Sequence, residues 1–235
     1  MQIYGKNVAR EKLQTKDKIK KVYLSNKFKD NEIITLIKKK NINPILLDMR
    51  DLDKMCKGLH QGIILEVEDV KTYSLEDIIP NIDKEYPLVV ILDHIEDPHN
   101  FGAIIRSCEA FGVDAIIIPN DRSVDITGTV VKSSVGTIEK IKIIKVTNLN
   151  NTIKKLKDYG YWVVGTDMEG TVYTDIDYKM KTALIIGNEG KGISRLVSEN
   201  CDYLAKIPMS GTVNSLNASV ACGIFLAEIN RSRGV

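Results

Sequence analysis

Two joined α/β units, the larger one built on a parallel sheet, are the architecture the sequence predicts, and three observations predict it. From residue 88 onward, short apolar runs alternate with amphipathic stretches in a strand–helix–strand rhythm, the pattern of a parallel sheet covered on both faces. Before residue 71, a smaller set of helical and strand-like patterns closes on its own. Between them, SLEDIIPNIDKEYP (74–87) offers Ser74 as the cap of a short helix and two prolines as a joint. The expected division is 1–71, a linker at 72–86, and 87–235. A chain of 235 residues is long enough for a medium domain joined to a small one.

The elements follow in order. GKNVAREKLQT has helical periodicity and KKVYLSN reads as a strand. NEIITLIKKK is an amphipathic helix, while NPILLD and GIILEVEDV are strands. In the larger unit, PLVVILD leads to a helix over 101–111 ended by Gly112, then to the strand DAIIIP. KIKIIKV precedes a helix over 148–159 that closes on Gly160. YWVVGT, TALIIG and YLAKIP are three more apolar strands, and the last feeds a long helix, NASVACGIFLAEINRS.

Composition bounds the function. Hydrophobic content of 43% and charged content of 27% describe an ordinary globular chain. Met1 leads directly into polar sequence, and the longest apolar runs fall far short of the roughly 18 residues of a membrane span, so no membrane association is expected. Cys56, Cys108, Cys201 and Cys222 form no C-x-x-C pair, and His60, His94 and His99 lack ligand spacing. That pattern fits reduced thiols in the cytoplasm and offers no metal site. The net charge of +2 hides an asymmetry: residues 1–71 hold 16 basic against 10 acidic residues, the remainder 17 against 21. A first third at +6 on a remainder at −4 points to a polyanion partner there, through Lys18, Lys20, Lys21 and the run Lys38–Lys40; a lysine-rich solvated surface is the alternative.

Ligands of open parallel α/β sheets bind beyond the carboxyl ends of the strands. Three such ends carry unusual residues: DHIEDPHN (93–100), GNEGKGIS (187–194) and PMSGTVNSLN (208–217). The second is not a Walker loop, because Gly190-Lys191 is followed by Gly192 and Ile185 stands where the first glycine is required. It is not a dinucleotide fingerprint either, since Arg195 replaces the third glycine. A tight turn accounts for the glycines but not for Glu189 at a strand end. In the third stretch Ser210, Gly211, Thr212, Asn214, Ser215 and Asn217 leave the backbone open to a flat heterocycle, with Ile207 and Leu216 as apolar walls, and also supply a helix N-cap. Arg106, six residues after Asn100, reads on the helix alone as a surface partner of Glu109 at i+3.

DPHNFGAIIRSCEAFG, IIGNEGKGIS and IPMSGTVNSLNASVACGIFLAEI resemble, in order and spacing, the three motifs of the SpoU (TrmH-type) RNA ribose methyltransferases. GKNVAREKL and LHQGIILEV resemble the opening helix and closing turn of the substrate-binding domain in the family's bacterial 23S rRNA branch, the RlmB type. The resemblance implies a SPOUT-type α/β trefoil knot with a parallel sheet, preceded by a small L30e-like α/β domain over 1–71 that binds the RNA. The knot is a rare exception to unthreaded connections. It implies S-adenosyl-L-methionine as methyl donor, no metal, and a homodimer packed through the C-terminal helix. Ala218, Val220, Ala221, Ile224, Phe225 and Leu226 suit such a helix by leaving little of its circumference polar.

The implied reaction is in-line attack of a ribose 2′-oxygen on the sulfonium methyl group, in RNA and most specifically at a guanosine of 23S rRNA. A tRNA target of the same family, or a non-catalytic RNA-binding protein on the same scaffold, is the alternative. The motif positions map the catalytic set onto Arg106, Asn100, Glu189, Ser215 and Asn217, and the donor site onto Gly187, Ile207, Leu216 and Thr166. Guanidinium does not readily give up its proton, so Arg106 is expected to stabilise the developing alkoxide, with Glu189 orienting it.

Overall fold

The computed structural model describes residues 1–235 except Lys16, Asp17, Arg122, Val135, Val213 and Asn214. Its contacts divide it into two compact units, 1–70 with 126–136, and 71–125 with 137–235.

The first unit holds β1 (Gln2–Tyr4), α1 (Lys6–Gln14), β2 (Ile19–Ser25), α2 (Asn31–Lys39), β3 (Ile45–Leu47), α3 (Met49–Met55) and β4 (Ile63–Val67). Its sheet runs β1-β4-β2-β3, with β4 antiparallel to β1 and β2, and β3 parallel to β2. Asp30 caps α2 through Ile33 N, and Ile33 and Ile37, one turn apart, bury the inner face of that helix. β1 and α3 were not legible in sequence. The first is three residues long, and the second buries only Leu52, so neither carries a repeating apolar pattern.

The second unit opens with β5 (Thr72–Tyr73) and α4 (Leu75–Ile78), which Ser74 and Asp77 close with a reciprocal capping box. The stretch expected as a linker therefore contributes to this unit: β5 pairs with a sheet strand, and Leu75 and Ile79 are buried in its core. β6 (Leu88–Asp93), α5 (Pro98–Ala110) and β7 (Ala115–Pro119) follow. After α6 (Gly128–Ser133) come β8 (Lys142–Val146), α7 (Leu149–Asp158), β9 (Trp162–Val172), β10 (Thr182–Gly187), α8 (Arg195–Ser198), β11 (Tyr203–Lys206) and α9 (Ala218–Arg233). The segment 126–136, which includes α6, clusters with the first unit: Tyr4 Oη lies 3.2 Å from Thr129 Oγ1, and a Cβ on Gly128 would collide with Gln2 O.

The seven strands order as β11-β9-β10-β6-β7-β8-β5, every pairing parallel. β6, β7 and β10 are buried at every position, which explains their unbroken apolar sequences. One face of the sheet packs Val89, Ile91, Ile117, Ile144 and Ile185 against Leu149, Ile153 and Leu156 of α7. Each such side chain stabilises the fold by roughly 1.5–3 kcal/mol through apolar area removed from water. α5 and α9 pack on each other, and α9 also meets β10. β9 is longer than YWVVGT, because β11 pairs with it as far as Val172 across a register shift.

From β6 the chain moves outward to β7 and β8, then returns to β9 and β10 on the other side. The order of connection thus reverses between β6 and β10, and this is where an open α/β sheet leaves a crevice at its carboxyl edge.

Candidate functional site

Gly187 ends β10 directly beside Asp93, the end of β6. Beyond it the GNEGKG loop folds back on itself, with Asn188 and Gly192 exchanging both backbone hydrogen bonds at 3.0 and 2.9 Å. A Cβ on Gly187 would collide with the carbonyl carbon of Gly192, so only glycine admits this closure. Asn188 stiffens the loop further: its Oδ1 accepts from Gly190 N and Lys191 N, while its Nδ2 donates to His94 O at 2.8 Å. Asp93, buried, accepts from Ser194 N at 2.6 Å and pairs with His94 Nδ1 at 2.5 Å. His94 holds φ at +59°, a left-handed conformation that costs a non-glycine residue free energy and fixes the turn out of β6.

Asp97 caps α5 through His99 N, with Pro98 in the first turn. This sets Asn100 at the start of the helix, 9% exposed. Its Nδ2 donates to Glu189 Oε1 at 2.7 Å and its Oδ1 accepts from Asn217 Nδ2 at 2.9 Å. Asn217 Oδ1 in turn caps α9, accepting from Ser219 N at 2.9 Å and from Ser219 Oγ at 2.6 Å. One relay therefore joins the three loops that the sequence singled out. Its order is fixed by chemistry, because a carboxylate can only accept and a helix N-terminus can only donate.

Beside the relay lies a cavity of about 850 Å³, within the size range of small-molecule sites. Thr166, Gly187, Ile207 and Leu216 all line it, as do Glu189 and Ser215. Asn214 lies outside the described residues. Ile186, Met168 and Phe225 add apolar wall; Met168 gave no sign in sequence, since a single apolar residue on a strand reads as core, and Phe225, expected on a helix face that meets a partner, is buried against this cavity instead. Asp93 and Asn188, which hold the loops, were visible only as parts of polar strand ends.

Arg106 is placed apart from the relay. Six residues along a helix are about 9 Å of rise and a different face, so Arg106 is exposed. Among the described residues it has no hydrogen-bond or ion-pair partner. The expected orientation of Arg106 by Glu189 is thus replaced by a bond from Asn100 to Glu189, and Glu109, the alternative partner, lies 3.4 Å from Lys140. Beside Gly165 of β9, burial pushes the Cys201 thiol up to about 12, and where α5 meets α9, burial followed by contact with Cys222 raises Cys108 well above the usual thiol range. Among the described residues no group of three or more His, Cys, Asp or Glu is placed to hold a metal ion, and no helix is long and apolar enough to cross a membrane.

Known proteins share this fold. The structure of AviRb from Streptomyces viridochromogenes, a SpoU methyltransferase in complex with AdoMet, matches with a TM-score of 0.80 at 25% identity, over 99% of this chain and 90% of that one. An AdoMet-bound rRNA methyltransferase from Sinorhizobium meliloti matches with a TM-score of 0.77 at 27% identity, over 98% and 86%. The fold and site thus define a methyltransferase of the SPOUT class. Residues 87–227 match the SpoU rRNA methylase family, and residues 2–73 match the domain described as RNA 2′-O ribose methyltransferase substrate binding. A Bacillus subtilis protein, YacO, assigned to the TrmH family of tRNA/rRNA methyltransferases, is 41% identical over 98% of this chain and 95% of its own length. A Staphylococcus epidermidis protein assigned to the same family is 39% identical over the same shares. The chain belongs to the SpoU (TrmH-type) family of RNA methyltransferases.

Proposed function

We propose that this enzyme transfers a methyl group to a ribose 2′-hydroxyl of 23S rRNA, at a guanosine, and works in the cytoplasm as a homodimer packed through α9. Residues 1–71 serve as the L30e-like RNA-binding domain and 87–235 as the methyltransferase domain. The observation that carries the reading is the Glu189–Asn100–Asn217 relay set against a cavity of the right size for the donor. The exposed, unpartnered Arg106 supports it, as does the outer face of α9, where Val220 is 49% exposed and Gly223, Ile224 and Ala227 follow at helical spacing.

The residues present fit the donor. Gly187, Ile207, Leu216 and Thr166 offer backbone groups and apolar walls for an adenosine, and the close approach at Gly187 leaves the strand end bare of side chain. S-adenosylmethionine, when bound, supplies a methyl group on a sulfonium whose departure as a neutral thioether requires no metal. The chain's own residues manage the alcohol, whose proton must be lost or whose developing charge must be stabilised. Arg106 holds a fixed positive charge for the alkoxide and the neighbouring phosphate, since guanidinium retains its proton. Asn100, held from both sides, Asn217 and Ser215 position the ribose and the adjoining loop, and Glu189 fixes which way the Asn100 amide faces.

The test uses 23S rRNA transcribed in vitro, labelled donor and alkaline hydrolysis, which a 2′-O-methyl group blocks at one bond. A single protected position is expected, lost in Arg106→Ala while that variant still binds the donor. Methyl incorporation into unfractionated tRNA but not 23S rRNA would overturn the substrate, and a methyl group on a base would overturn the reaction.

A further inference from the structure

At one end of the first unit's sheet, the carboxyl ends of β1, β2 and β3 meet the start of β4. The chain there is rigidly built. Ser25 N donates to Gly62 O, Phe28 N to Ser25 O, Asn26 N to Leu47 O, and Lys6 N to Gln61 Oε1. The buried His60 accepts from Gly62 N at Nδ1, so its proton sits on Nε2, which faces Asp53 Oδ1 at 2.9 Å. Gly5, Gln61 and Gly62 all hold positive φ, at +96°, +52° and +82°.

Two features of this rigid end lack an internal purpose. The first is apolar surface left in water: Leu59 is 72% and Met49 45% exposed, with Phe28 half-buried beside them under the Lys6 ammonium. Met49 and Phe28 flank Gly62, and Leu59 O lies against Gly5. The second is a charge imbalance in how groups are used. The carboxylates are occupied from within: Asp30 by Arg10, Asp48 by Asn26, Asp51 by Lys54, Asp53 by His60. The exposed ammonium groups of Lys27, Lys29 and Lys57, by contrast, have no hydrogen-bond or ion-pair partner among the described residues. The lysines prominent in sequence lie elsewhere. Lys18, Lys20 and Lys21 stand at the opposite end of β2 and Lys38–Lys40 at the far end of α2; there Lys21 and Lys40 are engaged with Glu66 and Thr15 O, while Lys18, Lys20, Lys38 and Lys39 have no hydrogen-bond or ion-pair partner for their ammonium groups among the described residues, so it is the exposed apolar surface that sets the first end apart.

We propose that this loop end, and not the Lys18–Lys21 and Lys38–Lys40 end, is the surface on which the substrate RNA docks, and that it takes unpaired nucleotides. Free cations on a pre-ordered frame meet phosphates at little ordering cost, and exposed apolar side chains among them match the faces of unstacked bases, which a continuous duplex does not present. The inference rests on the RNA-binding role proposed above for residues 1–71.

Filter binding of the full chain to 23S rRNA transcribed in vitro, and to a fully paired RNA duplex, across a potassium chloride series tests it. Lys27→Ala with Lys29→Ala and Lys57→Ala should weaken binding to both RNAs and flatten the salt slope by roughly one unit for each phosphate that is no longer neutralised. Met49→Ser with Leu59→Ser should weaken binding to the rRNA by roughly tenfold with no change of slope, and leave duplex binding as it was. Both sets alter exposed side chains, so unchanged melting temperatures certify folding. The proposal is overturned if both sets bind like the wild type, or if Lys38→Ala with Lys39→Ala alone removes the affinity. A wild-type chain that binds no RNA removes the proposed substrate before any variant is measured, and this surface falls with it.

Discussion

Asn217 performs two tasks through opposite ends of one amide: Oδ1 caps α9 and Nδ2 holds Asn100. Substitution can separate them. Asn217→Asp keeps the cap, and its negative charge suits a helix N-terminus, so the cap's own contribution to stability should be preserved. It also sets an acceptor against Asn100 Oδ1. Turning the Asn100 amide over only moves the mismatch to Glu189, so the relay fails either way. Methyl transfer should therefore fall at least tenfold in Asn217→Asp, whereas Asn217→Ala should in addition lose about 1 kcal/mol of stability. Equal activity in Asn217→Asp and wild type, measured by labelled-donor incorporation, would reduce Asn217 to a cap.

At the scale of elements, α9 is anchored at both ends, and the anchors differ in kind. Its start joins the relay, while its last turn presents Arg233, whose guanidinium donates to Tyr178 O, Tyr86 O, Met180 O and Thr182 Oγ1 at 2.8–3.0 Å. These acceptors precede β6 or lie before and at the start of β10, the two strands between which the site opens. Partial burial lowers the Arg233 pKa from its ordinary value, yet guanidinium remains charged at any working pH. Arg233→Ala strands the carbonyls and should cost about 2–3 kcal/mol, read as a lower melting temperature, with Arg233→Lys recovering only part because one ammonium cannot span four acceptors. A melting temperature unchanged in Arg233→Ala would show that water satisfies the carbonyls equally well.

At the scale of the molecule, the two units are not two successive pieces of sequence. Segment 126–136 clusters with residues 1–70, where Gly128 abuts Gln2 and Tyr4 meets Thr129. Removing residues 1–70 should therefore leave the cavity proposed for the donor intact, since its lining runs from Thr166 to Phe225, but strip 126–136 of its packing. The truncated chain should bind S-adenosylmethionine and be stabilised by it, while binding rRNA weakly and aggregating more readily than the full chain. Loss of donor binding on truncation, measured by calorimetry, would show that the cavity depends on the first unit.

Sequence by itself determined the parallel sheet, the order of most elements and the three loops of the site. The reason is that each of these is encoded locally: β6 and β10 are unbroken apolar runs because both faces are buried, and the loops stand out as polar stretches after such runs. The motif spacing also determined the family. Only the tertiary structure decided which residues meet. Asn100 binds Glu189 and Asn217 across 89 and 117 positions of chain, while Arg106, on the same helix as Asn100, is turned away from them. It also decided that Thr72 and Tyr73 join the sheet and that 126–136 clusters with residues 1–70, because pairing of a two-residue strand and the backbone approach at Gly128 depend on distant partners. The lysines most visible as a run lie at the end of the first unit away from its exposed apolar loops, since a run records adjacency in the chain whereas a binding surface is made by strand ends that gather in space.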